Sequence, residues 1–282
     1  MFACSIEEIK ERPDVIICDT PVAIWRIRRY FGRHIRVVYD ITEFYPSKKN
    51  VRNVSLLLKP LKYILLKLVF LWAGVAADDF IFGEYHKSRA FRFLFPWKRS
   101  LLLPYYPSLH YISPRPAHPL GDEVRLFYAG PQTAEKGFER VKQVLQKCQE
   151  RLPDKHIVFQ TVNGVVFEEF CKIITEQDVF LDLRDTDREN TRCLPIKLFY
   201  YMAAGRPVIY SDLKSIRIGV PEIANDSLID PENLERAVEM ICEWVAHPDV
   251  YLSQCARNRQ LAENCYNWEK QSETFIQFIE QS

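Results

Sequence analysis

Two stretches of the chain place a lysine where a strand gives way to a helix, which is the arrangement of an anion site. The first reads Tyr128-Ala129-Gly130-Pro131-Gln132-Thr133-Ala134-Glu135-Lys136-Gly137. Gly130 permits close backbone approach, and Lys136 stands near the start of the next helical pattern. Exposed amides, the helix dipole and an ammonium together suit a phosphate. The stretch is neither G-x-G-x-x-G nor a P-loop, and a tight turn with a solvated lysine has the same appearance. The second stretch runs from Asn190 to Ile209, with Arg192, Leu194, Pro195, Ile196, Lys197 and Tyr200 in its first half. Pro195 starts a helix, Gly205 ends it, and Pro207 leads into a strand. The helix start around Leu194–Lys197 is expected at the same edge as Lys136. Two helix N-termini and two lysines meeting in one crevice would hold a diphosphate.

Other residues of possible chemistry are weaker. Asp40 and Glu43 close a strand in the first half; paired carboxylates there either orient or deprotonate a hydroxyl, or cap a turn. Asp185-Thr186-Asp187 is a D-x-D, but it lies among Arg184, Arg188 and Glu189 and reads as a solvated loop. Asp78-Asp79 has no third ligand nearby in sequence, so no metal site is expected. The six histidines lie in no catalytic setting, and the eight cysteines form no C-x-x-C pair.

The elements that must position these residues alternate between short apolar runs and amphipathic stretches. In the first half, Val15–Cys18, Ile35–Tyr39, Phe80–Phe82 and Leu101–Leu103 read as strands. Pro21–Phe31 and the long stretch 51–72 read as helices. Residues 104–121 hold five prolines and read as a linker. In the second half, Arg125–Tyr128, Ile157–Thr161, Val179–Leu183, Val208–Tyr210 and Leu228–Ile229 read as strands with helices between. Phe138, Val141, Val144, Leu145, Cys148 and Leu152 share one helical face. The fold class is therefore α/β, with two Rossmann-like domains and parallel sheets. Ligands in such sheets sit at the strands' carboxyl ends, here after Tyr128, Leu183 and Tyr210.

The second stretch resembles the P-x-K-x-F-E-Y-M-A-x-G-x-P-V-I signature of retaining glycosyltransferases of the family-four type. Pro195, Lys197, Phe199, Tyr201, Met202, Ala203, Gly205, Pro207, Val208 and Ile209 match in register. Gly130, Lys136 and Gly137 resemble that family's G-R-x-x-x-x-K-G. Residues 37–46 resemble its V-x-x-D-x-H-E-x-x-P, and Trp268-Glu269 the start of its closing helix. The resemblance implies a GT-B fold: an acceptor-side domain over 1–113, a nucleotide-sugar-binding domain over 114–266, and a helix over 267–282 crossing back. It implies a UDP- or GDP-sugar donor, no other cofactor and no metal. Lys136 would bind phosphate, amides near Leu194–Lys197 would cap the diphosphate, and Gly130 and Asn190 would complete the donor site. Asp40 and Glu43 would act on the acceptor side. The chain departs from the pattern where the family's two glutamates become Arg192 and Tyr200, its arginine Pro131, its histidine Thr42 and its linker asparagine Tyr105. The family's first strand and glycine loop have no counterpart before the helix expected over 5–11, so the first domain is expected to be incomplete.

Hydrophobic residues make up 48% of the 282 and charged residues 27%, enough apolar material for a sizeable core. Residues 1–120 carry a net charge of +9 and the rest −8. The basic half meets an anionic partner or is a solvated face. Its lysines accompany Leu65, Leu66, Phe70 and Trp72, so the long helix either rests on an anionic membrane or packs in the core with snorkelling lysines. No stacking motif favours nucleic acid. No signal peptide is apparent, and a cytoplasmic protein, at the inner face of a membrane, is expected. The expected function is transfer of a sugar from a nucleotide-diphosphate donor to a saccharide or lipid-linked acceptor with retention. The rivals are a catalytically degenerate binding partner on the same fold and a sugar-nucleotide epimerase.

Overall fold

The computed structural model describes residues 12–42, 51, 54–187 and 190–281. The chain divides into two compact units, one of Met1–Pro104 with Phe275–Ser282, the other of Tyr105–Thr274. Each is built on one parallel sheet.

In the first unit, β1 (Val15–Cys18), β2 (Arg36–Ile41), β3 (Asp79–Phe82) and β4 (Ser100–Leu102) lie side by side in sequence order. The connecting helices are α1 (Pro21–Phe31), α2 (Lys59–Ala76) and α3 (Tyr85–Leu94). The hydroxyl of Thr20 accepts from the Ala23 amide at 3.2 Å, and Pro21 opens the helix, so α1 begins where the sequence placed it. The second helix differs from the expected 51–72. Proline within a helix lacks a donor and clashes with the preceding turn, so Pro60 fixes the start at Lys59, and the helix runs on to Ala76. Helix α3 was not expected, because Tyr-His-Lys-Ser-Arg-Ala carries little apolar period. Side chains of β2 alternate: Val37, Tyr39 and Ile41 join Ile24, Phe70 and Phe91, while Val38 lies in the opposite cluster.

In the second unit, β5 (Glu123–Ala129), β6 (His156–Val162), β7 (Val179–Asp182), β8 (Val208–Ser211) and β9 (Leu228–Ile229) take the order β6-β5-β7-β8-β9. Its helices are α4 (Phe138–Arg151), α5 (Phe167–Thr175), α6 (Ile196–Ala203), α7 (Lys214–Gly219), α8 (Leu234–Ala246) and α9 (Pro248–Asn264). Leu126 and Tyr128 pack with Val141, Val144 and Ile241 on one face. Phe127 and Ala129 pack with Cys171, Leu198 and Met202 on the other. In the proline-rich stretch, Tyr106, Leu109 and Ile112 pack on this second core. The strand order reverses at β5, which has β6 on one side and β7 on the other. The crevice beyond the carboxyl ends of β5 and β7 is therefore the topological switch point, where open α/β sheets hold ligands.

The last helix, α10 (Trp268–Glu280), starts with the Trp268 amide donating to the Pro107 carbonyl at 2.9 Å. Its far end belongs to the first unit, where Phe278 packs with Val38, Ile81 and Leu103. Arg36 donates to the carbonyls of Ile279 at 2.6 Å and Phe278 at 3.0 Å, and Arg99 to that of Phe278 at 3.0 Å. Both guanidiniums lie over the Phe278 ring. These bonds satisfy carbonyls that a helix C-terminus leaves unpaired. Phe278→Ala is expected to cost about 3 kcal/mol, seen as a lower urea midpoint for the first unit with the second unit's transition unmoved.

Candidate functional site

Asp182 ends β7 and is fully buried. A carboxylate in that position persists only if it is paired. Arg184, two residues on, donates Nε to Oδ1 at 2.8 Å and Nη2 to Oδ2 at 2.6 Å. The Tyr210 hydroxyl on β8 donates to Oδ2 at 2.6 Å, and Lys197 Nζ lies 2.9 Å from the same oxygen. Burial alone would raise the carboxyl's pKa. The charges of Lys197 and Arg184, with the Arg184 and Tyr210 hydrogen bonds, outweigh it and hold Asp182 well below the usual carboxylate range. Lys197 falls below the ordinary lysine value: burial outweighs the favourable pull of Asp182, and Arg184 adds repulsion.

Lys197 also ties this network to the loop after β5, donating to the Ala129 carbonyl and lying over the Tyr128 ring. Gly130 has φ of 136°, and a Cβ there would stand 3.1 Å from Lys197 Nζ, so glycine leaves room for the ammonium. The Tyr128 hydroxyl donates to the Pro131 carbonyl at 2.8 Å and reaches that of Lys136 at 3.3 Å, fastening the loop from below. Burial, then the charge of Asp182, pushes this phenol up to about 12. Gly137 has φ of 78°, and a Cβ there would fall 1.9 Å from the Leu183 carbonyl oxygen. The loops after β5 and β7 are thus in backbone contact, and the Asp185 amide donates to the Glu135 carbonyl at 3.1 Å.

The two lysine stretches meet, but differently from the sequence expectation of two free helix ends. The amides of Lys136, Gly137 and Phe138 already donate to the carbonyls of Thr133, Ala134 and Thr133 in a tight turn. That turn, with Gly137 against Leu183, takes up the amides as far as Phe138, the first residue of α4. What this segment contributes is the ammonium of Lys136, 3.2 Å from Asn190 Oδ1 and 3.2 Å from Glu135 Oε1. Asn190 is only 4% exposed, and its amide donates to Asp187 Oδ1 at 2.8 Å. Its Nδ2 has no partner among the described residues. Helix α6 begins after a buried Pro195 with no side-chain cap. Its first amides, Ile196 and Lys197, lie beyond the reach of intrahelical acceptors and bond to none of the described residues.

The remaining expected residues are placed as follows. Leu194 packs against Gly219 and anchors the turn before α6. Ile196 is exposed, as is Arg192 at the end of the Asn190–Arg192 turn. The Tyr200 ring lies edge-on to Phe167 and Phe170 of α5, and burial raises its phenol. Asp40 is half-buried on β2 of the first unit, and Glu43 lies outside the described residues. Asp185 pairs with Arg140 at 2.6 Å. Among the described residues, no three histidine, cysteine, aspartate or glutamate side chains are grouped to hold a metal. Sequence reasoning missed Asp182, Arg184, Tyr128 and Tyr210. The available signal was an acidic residue ending the apolar run Val179-Phe180-Leu181, which demands a cation partner.

No protein-family model matches the sequence, and no curated protein matches it. Solved structures do. TarM, known from S. aureus, aligns with TM-score 0.66 and 11% identity over 95% of this chain and 55% of its own. Anabaena HepE in complex with UDP and glucose gives 0.67 and 12% over 95% of this chain and 78% of its own. WaaG, a glycosyltransferase involved in lipopolysaccharide biosynthesis, gives 0.58 and 12% over 92% and 81%. The chain thus spans little more than half the length of TarM. The fold is GT-B.

Asp182→Asn leaves Arg184 and Lys197 without their anion and is expected to cost about 3–5 kcal/mol. Because the folded pKa is depressed, the carboxylate's contribution is full above about pH 4 and drains as pH falls toward the folded value. Urea unfolding across acidic pH should show that slope in the wild type and a flatter one in Asp182→Asn. Gly137→Ala, forced onto Leu183 at positive φ, is expected to cost at least about 2 kcal/mol by the same measurement.

Proposed function

Starting from a GT-B fold with this crevice at its second sheet, we propose that the chain is a glycosyltransferase using a nucleotide-diphosphate sugar. The observation that carries the reading is the meeting of Lys136, Lys197, Asn190 Nδ2, which has no partner among the described residues, and the uncapped start of α6 at the switch point. Asp182 is already neutralised by Arg184 and Glu135 stands beside Lys136, which leaves the Lys197 charge next to backbone donors that have no partner among the described residues. HepE, on the same fold, is seen with UDP and glucose. The diphosphate would lie across Lys136 and the first turn of α6, where these groups stabilise charge developing on the leaving group. Gly130 keeps the loop close to it, and Arg192 stands at the rim for the nucleotide. Transfer proceeds with retention to a saccharide or lipid-linked acceptor, on which Asp40 and Glu43 are proposed to act.

A second reading, a binding partner without turnover, has its own support. The family glutamate expected at the ribose is Tyr200, whose ring is committed to Phe167 and Phe170. Calorimetric titration with UDP and GDP separates the two. Binding of either nucleotide, weakened about tenfold or more by Lys136→Ala, with release of sugar when the matching UDP- or GDP-sugar is supplied instead, supports the transferase. Binding without release supports the partner, and no binding rejects both. Affinity should also fall as pH rises from neutral into the alkaline range, because the depressed lysine, Lys197, loses its proton there before an ordinary one would. An affinity flat across that range would separate Lys197 from the donor.

A further inference from the structure

Helix α2 has two apolar faces, and the first unit uses one. Its buried residues are Phe70, Ala73 and Gly74, with Phe70 and Ala73 in the core beside Tyr39 and Phe80. Leu61, Ile64, Leu65, Leu68, Trp72 and Val75 recur every three or four residues along a different stripe, and all are exposed. Leu56, Leu57 and Leu58, just ahead of the helix, are exposed too, Leu57 at 92%. The stripe continues onto α1: Pro21, Val22 and Trp25 line a groove of about 420 Å³ with Leu68, Val69 and Trp72. A core helix with snorkelling lysines was one sequence expectation, and this exposure overturns it. Water-facing apolar surface on this scale marks a docking site.

Charge selects the occupant. Helices α1 and α2 together hold Arg26, Arg28, Arg29, Lys59, Lys62 and Lys67 and no carboxylate. Arg28 is taken by Asp78 at 2.6 Å, and Arg29 lies over the Trp25 ring. At about 100° per residue, Lys62 and Lys67 fall on the two flanks of the stripe. A second copy docked by two-fold symmetry would set these cations against their own equivalents. An acidic lipid surface instead pairs with them while its acyl boundary takes the leucines and tryptophans. No described helix is long and apolar enough to cross a membrane, so α2 lies along the surface.

We infer that the α1–α2 face seats the first unit on an anionic lipid bilayer. The inference stands apart from the donor reading. Its test is flotation of the full chain with phosphatidylcholine vesicles, with or without about a third phosphatidylglycerol. Binding is expected to the anionic vesicles, reversed by high salt and by Lys62→Glu/Lys67→Glu. Leu65→Ser/Leu68→Ser should weaken it about tenfold, with thermal unfolding and UDP titration unchanged. Wild-type protein left in the dense fraction with anionic vesicles would overturn the inference, as would binding indifferent to both variants. A dimer in light scattering that Leu65→Ser dissociates would assign the face to a second copy and overturn it equally. Flotation without UDP binding would reject the donor reading and leave this one standing.

Discussion

The second unit is organised around a negative charge it cannot expose. Asp182 lies at the end of a strand whose other residues, Val179, Phe180 and Leu181, are wholly buried. Removing a carboxylate from water costs several kcal/mol unless cations and donors replace the lost solvation. Arg184 binds both oxygens with a two-point bond, and Tyr210 adds a bond to the second. Lys197 is the remaining partner, and it belongs to the helix that starts at the crevice. The carboxylate therefore fixes where α6 begins relative to β7, and with it the position of two amides unpaired among the described residues.

The same network reaches the loop after β5 through Lys197 and the Ala129 carbonyl. Tyr128 fixes that loop from the sheet side, and Gly137 lets it press on the backbone at Leu183. Three strand ends are thus tied by polar contacts that leave little freedom to any one of them. A site so held is preorganised: its donors are oriented before a ligand arrives, which limits the reorganisation that binding must drive. The groups without partners among the described residues, Asn190 Nδ2 and the start of α6, lie where these ties converge.

Much of this was legible in the residues. Apolar runs such as Val208-Ile209-Tyr210 and the face of Val141, Val144, Leu145 and Cys148 gave strands and helices in their right order. The proline and glycine punctuation of the second lysine stretch located α6 to within two residues. The site's polar centre was harder to read. Asp182 looks like the hydrophilic end of a strand until the sheet order puts Tyr210 beside it and α6 above it. Local pattern likewise could not show that the turn before Gly137 consumes its own amides, because Thr133 carries no mark of a carbonyl that takes two of them. The long second helix was open to two readings in sequence. Its composition suits a core element or a membrane-facing one, and only burial reveals that half of it faces outward.

The far end of α10 is recognised in an unusual way. Arg36 and Arg99 bind the carbonyls of Phe278, Ile279 and Gln281, which every amino acid supplies alike. Among side chains, both guanidiniums cover the Phe278 ring, Gln281 Oε1 accepts from Arg99 at 3.4 Å, and Phe275 and Ile279 pack alongside. Substitutions among the neighbouring positions of that turn leave the arginines their acceptors, whereas a deletion that shortens it by one residue rotates the carbonyls away from both. As far as those acceptors go, the tail's spelling can change, but its count of letters cannot.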